Sequence, residues 1–588
     1  MPTLHWIGKE KVQKHHNDVP YRVLEKQYTY GKYEDNTCGD DASRVVSQDN
    51  MIIHGDNLEA LKALLPEYQG KVDCIYIDPP YNTGNEGWVY NDNVNDPHIR
   101  KWLGAVVGKE AEDLTRHDKW LCMMYPRLVL LQKLLSPTGA IFISIDDNEQ
   151  ANLKLICDEI FGAGNFVTQF IWHNNKKGRQ MDKYIKTSCE YALVYAQRKL
   201  NLSVNDKEVI VGTASYPYLD TISAYKKGYP LHNGTAAFHI NNRPNLCYTI
   251  YYNPHTNDII PLDEKIKIDD EWQMPISVDG TRLLDLGYKR IIPKENSKYQ
   301  TQRVWRWSKE KVLRESSELM FVEEGDIWYI YQKERISSEG TKNVKYTNYI
   351  DIDTARGRDT LNSIFNNQTV FEFPKPVEYI SQILQIATDK DAIILDSFAG
   401  SGTTAHAVLN LNKQDGGHRR FILVEMCDYA ETITAERVRR VIDGYGEGSK
   451  AVESTGGSFA FYELGNTIYD PQTGLLNDNA DTEQIRRYIW YSETNTPYHS
   501  PKVCGDDAGR VVSMHHPYLL GRKDGTNYYF YYKRGEETVL DRAFLNTFTP
   551  ADQAEQYIIY ADCCRLSREF MQTHHITFKQ IPRDIKKV

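Results

Sequence analysis

One short segment places an acidic residue, two prolines and an aromatic residue next to each other. In VDCIYIDPPYNTG, residues 72–84, the strand-forming residues end at Asp78, and Pro79, Pro80 and Tyr81 follow. Proline cannot continue a central strand, and its fixed φ stiffens the loop that it forms. We predict that Asp78 and Tyr81 lie on a rigid loop at the carboxyl end of a strand, where open parallel sheets bind ligands.

A glycine-rich turn forms a second candidate site much later in the chain. In ILDSFAGSGTTAHAVL, residues 394–409, a strand runs into Gly400 and Gly402 and then opens a helix, so a ligand can approach the backbone amides. Thr rather than Lys follows the last glycine, which excludes a phosphate-binding P-loop. Gly400, Gly402 and Ala405 satisfy a dinucleotide fingerprint, so the turn alone leaves open a nicotinamide or flavin dinucleotide and any other adenosine-bearing cofactor. Glu425, at the tip of the next strand, is placed to accept from ribose hydroxyls.

The two motifs together favour methyl transfer to a nucleobase amine. If the cofactor is S-adenosylmethionine, Asp78 and the Pro79 carbonyl can accept the two N–H bonds of the amine, so that its lone pair points at the methyl carbon. Tyr81 would stack on the base, which must be flipped out of a duplex to reach the pocket. Stacking on an aromatic ring returns about 1–3 kcal/mol of that cost. The first motif has no evident role in hydride transfer, which disfavours a dinucleotide.

The composition predicts a soluble, cytoplasmic protein of several domains. The chain has 588 residues, 41% of them hydrophobic, which suggests about three or four domains with sizeable cores. No segment reaches the about 20 apolar residues of a membrane span, and the first residues lack the apolar core of a signal peptide. The ten cysteines contain no CxxC pair, so we predict buried thiols and no metal site. The net charge of −10 disfavours a polyanionic partner, but the local field depends on where the basic residues cluster.

Strands and helices that alternate along the chain must position the two motifs. Apolar strands and amphipathic helices alternate from residue 51, which predicts an α/β fold with a parallel or mostly parallel sheet covered on both faces. The alternation stops in a segment rich in Asn, Asp, Tyr and Trp, and later resumes. We therefore predict an N-terminal extension, the first half of the sheet domain, an inserted domain, the second half of the sheet domain and a C-terminal α+β module, over residues 1–50, 51–200, 201–350, 351–455 and 456–588, respectively.

Six segments that follow one another along the chain carry a family resemblance. They are HGDNLEAL, YIDPPYNTG, DKWLCMMYPRL, GAIFISIDDNE, FEFPKPVEYI and DSFAGSGTTAHAV. In this order they resemble the amino-methyltransferases of DNA with permuted "beta" motif order, and most closely the modification subunit of a type III restriction-modification system. The first and fourth segments are unspecific alone, whereas the six together are specific. The resemblance implies a Rossmann-like S-adenosylmethionine-dependent methyltransferase sheet, circularly permuted, whose inserted domain recognises the target sequence.

The resemblance also assigns roles to individual residues. The residues that match the catalytic loop are Asp78, Pro79, Pro80 and Tyr81, and Asp rather than Ser at its head resembles the adenine-N6 group more than the cytosine-N4 group. The residues predicted to bind S-adenosylmethionine are Asp56, Lys375, Pro376, Asp396, Phe398, Ala399, Gly400, Ser401, Gly402, Thr403 and Glu425. For Asp56 the alternative is a helix N-cap, because Asp precedes a helical segment. For Lys375 the alternative is a solvated lysine beside a proline-rich turn.

A basic run is the candidate surface for double-stranded DNA. Its members are Lys176, Lys177, Arg179, Lys183 and Lys186, which either contact phosphates or form a solvated face. Trp305 and Trp307 could contact DNA from the inserted domain, although alternating aromatic residues more often pack a sheet.

Partners follow from the resemblance, which implies a homodimer. No GxxxxGK[ST] motif occurs in the sequence, so DNA translocation and cutting would need a separate helicase-nuclease subunit. Three alternatives stay open: a stand-alone methyltransferase, a methyltransferase for cytosine-N4 or RNA, and a DNA-recognition subunit whose catalytic site is idle.

Overall fold

The chain divides into two compact units. The computed structural model describes residues 3–31, 50–83, 116–176, 178, 184–235, 237–275, 282–298, 300–337, 340–470, 473–498, 504–505, 511–513 and 516–583. One unit comprises Met1–Asn205 with Tyr346–Val588, and the other comprises Asp206–Lys345. The second unit is therefore an insertion in the sequence of the first, and its ends lie close to the predicted bounds of 201 and 350.

A large mixed sheet organises the first unit. Its ten strands are β1 Arg22–Gly31, β2 Asn50–His54, β3 Val72–Ile77, β4 Leu135–Ile145, β5 Phe166–His173, β6 Cys189–Ala196, β7 Tyr349–Asp351, β8 Ile393–Asp396, β9 Arg420–Glu425 and β10 Ser458–Thr467. They lie in the order β1-β10-β2-β9-β8-β3-β4-β6-β5-β7. The six consecutive strands from β10 to β4 pair in parallel, and antiparallel pairs join β1 to β10 and β6 to both β4 and β5.

Helices cover both faces of this sheet. They are α1 Asn57–Tyr68, α2 Arg116–Leu134, α3 Gln150–Cys157, α4 Ala355–Ile364, α5 Val377–Ala387, α6 Thr403–Asp415, α7 Glu436–Asp443 and α8 Thr482–Thr494. On one face α1 and α2 pack on Ile75 and Ile77, and on the other α5 and α6 pack on Tyr76 and Ile394. Because both faces are covered, the central strands are almost continuously apolar. The α/β prediction is confirmed.

The crevice at the carboxyl edge opens between β3 and β8. These strands pair in parallel, with Leu395 opposite Ile75. From β3 the chain continues to β4 on one side, and from β8 it continues to β9 on the other. The loops that leave the two strands therefore diverge, which is the arrangement that creates a ligand crevice in an open α/β sheet.

Two strands extend the sheet beyond the predicted bounds. β1 lies within the predicted N-terminal extension, and β10 starts in the predicted C-terminal module, yet both pair with the sheet. β1 is an exposed edge strand, so its sequence carries little of the apolar signal that identified the central strands. The rest of the C-terminal module has its own four-stranded sheet, made of Leu519–Lys523, Thr526–Phe530, Gln556–Ala561 and Ile576–Gln580.

The inserted unit is mostly β structure. Its larger sheets are formed by Leu319–Glu324, Ile327–Arg335, Ala224–Pro230 and Tyr218–Leu219, and by Ile259–Leu262, Thr249–Tyr252 and Lys289–Ile291. Trp305 and Trp307 are buried in its core, and the Trp305 indole N–H donates to the Tyr248 carbonyl at 2.7 Å. The two tryptophans thus pack the sheet, which is the alternative to DNA contact. Among the described residues, every helix is too short or too polar to cross a bilayer.

Candidate active site

The proline loop after β3 is held from two sides. The Trp120 indole N–H donates to the Pro80 carbonyl at 2.6 Å, and the Tyr81 hydroxyl donates to Glu190 Oε2 at 3.1 Å. Burial raises the pKa of Tyr81 well above its usual range, so the hydroxyl keeps the proton that it donates. The prolines and these two bonds fix the loop, as its sequence predicts.

A buried acid, Glu149, binds the end of the same loop. Asn82 has a positive φ of 58°, and its amide donates to Glu149 Oε1 and, at 3.2 Å, to the Arg116 carbonyl. His117 Nδ1 lies 2.6 Å from the same Glu149 oxygen, and the Glu149 side chain is 0% exposed. Sequence reasoning assigned no role to Asn82 or Glu149. The available signal was weak: Glu149 is one of three acids in the short segment 146–149 after the buried strand β4, and the sequence does not show which of them is buried and needs a partner.

The glycine turn between β8 and α6 has the backbone conformation that its sequence predicts. Gly400 and Gly402 have φ of 52° and 80°, in the left-handed region that favours glycine. The Gly400 N–H donates to Glu425 Oε2 at 2.8 Å, and the Gly402 N–H donates to the Ala399 carbonyl at 2.8 Å. The turn therefore brings the N-terminus of α6 to the carboxyl edge of the sheet.

Lys375 joins the two motifs. Its Nζ lies 2.7 and 2.6 Å from the two carboxylate oxygens of Asp78, and the two side chains are only 10% and 13% exposed. The same Nζ lies 5.0 Å from the Tyr81 ring centroid, and the Lys375 carbonyl accepts from Thr403 Oγ1 at 3.3 Å. Residues far apart in the sequence are thus in direct contact. Lys375 is a buried partner of Asp78 rather than a solvated lysine.

A cleft opens between the two motifs, and residues of both motifs line it. Its lining residues are Tyr76, Asp78, Phe371, Phe373, Pro374, Lys375, Asp396, Phe398, Ala399, Gly400, Ser401, Thr403 and Thr404. Most of the predicted cofactor residues are therefore together at this cleft. Sequence reasoning missed Phe371 and Phe373, although it singled out the segment FEFPKP that contains them.

Two predicted ligand acids instead contact backbone amides. The Glu425 side chain is buried, with Oε2 bound to Gly400 and Oε1 accepting from the Cys427 N–H at 3.0 Å, and burial raises its pKa to about 7. Asp56 caps α1 by accepting from the Leu58 N–H at 2.8 Å. Neither acid nor Pro376, which directly precedes α5, is among the residues that line the cleft. Their roles toward ribose, adenine and methionine stay predictions.

The cleft residues fit an adenosine-bearing ligand with a polar tail. Three aromatic side chains, Phe371, Phe373 and Phe398, can cover an adenine ring. The α6 N-terminus and the Ser401 hydroxyl offer donors to the polar part of such a ligand. A side chain at 402 would be strained, because the backbone there has a φ of 80° and a Cβ would lie 3.1 Å from the Thr434 carbonyl oxygen.

We expect Gly402→Ala to lower cofactor affinity and to destabilise the protein by about 1–3 kcal/mol. The substitution combines an unfavourable φ with the contact to Thr434. Gly416→Ala is the matched control, since Gly416 also has a positive φ at the other end of α6 but has nothing within 4 Å of its added Cβ. Equilibrium cofactor titration and thermal unfolding of both variants measure the difference. Equal effects of the two variants on cofactor affinity would contradict the role of the turn.

Asp396 gives a prediction for pH dependence. Its carboxylate is buried and accepts from the Phe398 N–H and from Thr404 Oγ1, and burial raises its pKa to about 7. The unfolded chain loses this proton near pH 4 but the folded protein keeps it, so its contribution to stability is lost as pH rises from about 4 to about 7. We expect Asp396→Asn to remove part of this decline. The test is to measure the free energy of unfolding of both proteins at about pH 5 and about pH 8. If the decline between these two pH values is the same in Asp396→Asn as in the unaltered protein, the prediction is wrong.

The basic run is only partly described by the structure. Lys176 is 65% exposed at its side chain, with Nζ 3.5 Å from Asp351 Oδ2, and Lys186 is exposed. Lys177, Arg179 and Lys183 lie outside the described residues. Phosphate contact by this run stays a prediction.

Comparison with known proteins agrees with this geometry. The profile of the DNA methylase family N6_N4_Mtase matches residues 72–436, which include both motifs and Lys375. The Type III restriction-modification enzyme EcoPI Mod subunit of Escherichia phage P1 is 32% identical over 439 residues, which cover 72% of this chain and 63% of that protein. The StyLTI Mod subunit of Salmonella typhimurium is 32% identical, with coverage of 71% and 57%. The Type II methyltransferase M.KpnI of Klebsiella pneumoniae is 34% identical, with coverage of 64% and 81%. The match spans less than two thirds of the length of either Mod subunit.

Proposed function

Since this chain belongs to the DNA methylase family N6_N4_Mtase, we propose that it transfers a methyl group from S-adenosylmethionine to the N6 amine of adenine in double-stranded DNA. The contact between Lys375 and Asp78 carries the proposal, because it holds the acid of the proline loop at the cleft beside the glycine turn. S-adenosylmethionine supplies the electrophilic methyl group when it is bound.

In the proposed mechanism, Asp78 and Pro79 bind the amine of the target base. An exocyclic amine is a poor nucleophile because its lone pair is delocalised into the ring. If the Asp78 carboxylate and the Pro79 carbonyl each accept one N–H, the nitrogen becomes more tetrahedral and the lone pair is directed at the methyl carbon. Asp78 also stabilises the positive charge that develops on the nitrogen, and it is placed to receive the proton that the methylated amine releases.

Lys375 and Tyr81 orient the acid and the base. The Lys375 ammonium lies close to both Asp78 oxygens, and each oxygen keeps a second lone pair for an N–H of the substrate. The Tyr81 hydroxyl donates to Glu190, and the side chain is only 7% exposed, so the bond and the surrounding packing hold the ring in place. An aromatic ring held in this way is suited to stack on a flipped base.

Nucleoside mass spectrometry tests this proposal directly. Duplex DNA that is incubated with the protein and isotopically labelled S-adenosylmethionine should yield labelled N6-methyladenine. Labelled N4-methylcytosine instead would identify the cytosine alternative, and label that enters only RNA would identify the RNA alternative. Protein that binds DNA and the cofactor but transfers no label to either nucleic acid would support an idle recognition subunit.

We further propose that the protein acts as the modification subunit of a type III system and forms a homodimer. The EcoPI and StyLTI Mod subunits, which are among its relatives, support the assignment as a modification subunit. Sedimentation velocity at micromolar concentration should give a dimer. A methyltransferase that is fully active as a monomer, and whose genomic neighbourhood lacks a helicase-nuclease gene, would favour the stand-alone alternative.

A further inference from the structure

A buried arginine lies directly behind the glycine turn. Arg437, in α7, is 0% exposed. Its Nη1 contacts three oxygens of the turn: Ser401 Oγ at 2.8 Å, Thr403 Oγ1 at 2.8 Å and the Ser401 carbonyl at 3.3 Å. Its Nη2 lies 3.4 Å from His406 Nδ1. The guanidinium therefore touches both hydroxyl side chains at the start of α6.

Within the described residues, no carboxylate lies within ion-pair distance of Arg437, and its Nε has no hydrogen-bond partner. Burial lowers the pKa of Arg437 to about 9, so the side chain is still charged at neutral pH. Burial also lowers the pKa of His406 well below its usual range, so that ring is neutral and accepts from Arg437. An isolated buried cation is costly, and a bound anion nearby would offset that cost.

The contacts of Arg437 determine which way the two hydroxyl hydrogens point. Because each hydroxyl oxygen accepts from Nη1, its own hydrogen must point away from the guanidinium. The Thr403 hydrogen is donated to the Lys375 carbonyl at 3.3 Å. Ser401 Oγ lies 3.4 Å from Thr403 Oγ1, a weak contact, and Ser401 lines the cleft. Its hydrogen is thus available to a ligand, and the cation behind it strengthens the bond that it donates.

We propose that Arg437 is a positioning residue that makes the Ser401 end of the cleft a subsite for a carboxylate, namely that of the amino-acid portion of the cofactor. This inference rests on the proposed function. The N-terminus of α6 adds backbone donors and a favourable dipole for the same anion. Arg437 acts through Ser401 and Thr403 without touching the ligand.

Two ligands that differ in this carboxylate test the proposal. S-adenosylhomocysteine carries the amino-acid group, whereas 5′-methylthioadenosine lacks it. By calorimetric titration, Arg437→Met should lower the affinity for S-adenosylhomocysteine about 10- to 100-fold, as expected when a charge-assisted hydrogen bond is lost. The affinity for 5′-methylthioadenosine should stay nearly unchanged. Arg437→Lys should recover part of the lost affinity. Equal losses for both ligands, or no loss for either, would overturn the proposal.

Two further variants keep the test decisive. Arg419→Met is the matched control, since Arg419 is a buried arginine that is paired with Asp415 at the other end of α6, and both affinities should be retained. If Arg437→Met does not fold, Ser401→Ala tests the proposal in its place, because it removes the Ser401 hydroxyl that donates to the ligand and keeps the Arg437 guanidinium. This variant should have a lower affinity for S-adenosylhomocysteine but not for 5′-methylthioadenosine. If Ser401→Ala and the unaltered protein bind S-adenosylhomocysteine equally well, the proposal is overturned. Failure of the unaltered protein to bind either nucleoside would instead reject the proposed function.

Discussion

Asp78→Asn is expected to slow methyl transfer by about 10²- to 10⁴-fold with little change in cofactor affinity. The amide keeps an oxygen for the Lys375 ammonium and preserves the shape of the loop. It does not carry the negative charge that stabilises the developing cation on the amine, and it is a far weaker proton acceptor. Single-turnover transfer to duplex DNA measures the rate, and titration with S-adenosylhomocysteine measures cofactor affinity.

Asp73→Asn is the control on the same strand. Asp73 lies at the opposite end of β3, where Oδ2 accepts from the Ile393 N–H at 2.9 Å and Oδ1 accepts from Ser136 Oγ at 3.2 Å. Its substitution should cost about 1 kcal/mol of stability and leave the transfer rate unchanged. An unchanged rate for the Asp78 variant would remove the catalytic assignment. Equal losses for both variants would mean that the effect comes from damage to β3.

The local parts of the site could be predicted from the sequence. An apolar run that ends in two prolines defines the end of β3, and a strand followed by two spaced glycines defines the start of α6. These signals arise from backbone conformation, which depends on neighbouring residues. Periodicity does not reveal which strand ends are adjacent, because the pairing of β3 with β8 depends on packing over the whole sheet. The order of the six motifs supplied that information through a family resemblance.

Side-chain direction was the part that the sequence could not provide. Glu425 and Asp56 have the spacing expected for ligand acids, but in the structure both accept from backbone N–H groups. A carboxylate beside a tight turn can bind the turn or a ligand, and both arrangements have the same sequence pattern. Arg437 was missed for a related reason, since a basic residue in an amphipathic helix usually predicts a solvated position.

The contact between Lys375 and Asp78 gives the largest expected effect on stability. Lys375→Met removes the cation and leaves the Asp78 carboxylate mostly buried without its partner, so we expect a loss of about 3 kcal/mol. The double variant Asp78→Asn, Lys375→Met contains no uncompensated charge and should recover most of that loss. Denaturant unfolding of the four proteins in this cycle measures the coupling between the two residues.

The same cycle separates the role of Lys375 in stability from the role of Asp78 in catalysis. If Asp78 is the group that binds the amine, the double variant should be stable and should still fail to transfer methyl groups, because no carboxylate has returned. Lys413→Met is the control for loss of a lysine, since its pair with Glu453 is exposed at 42% and 91% of the two side chains, and such surface pairs contribute about 0–1 kcal/mol. Recovery of methyl transfer together with stability would mean that Asp78 serves only to neutralise Lys375, and the amine would then need another acceptor.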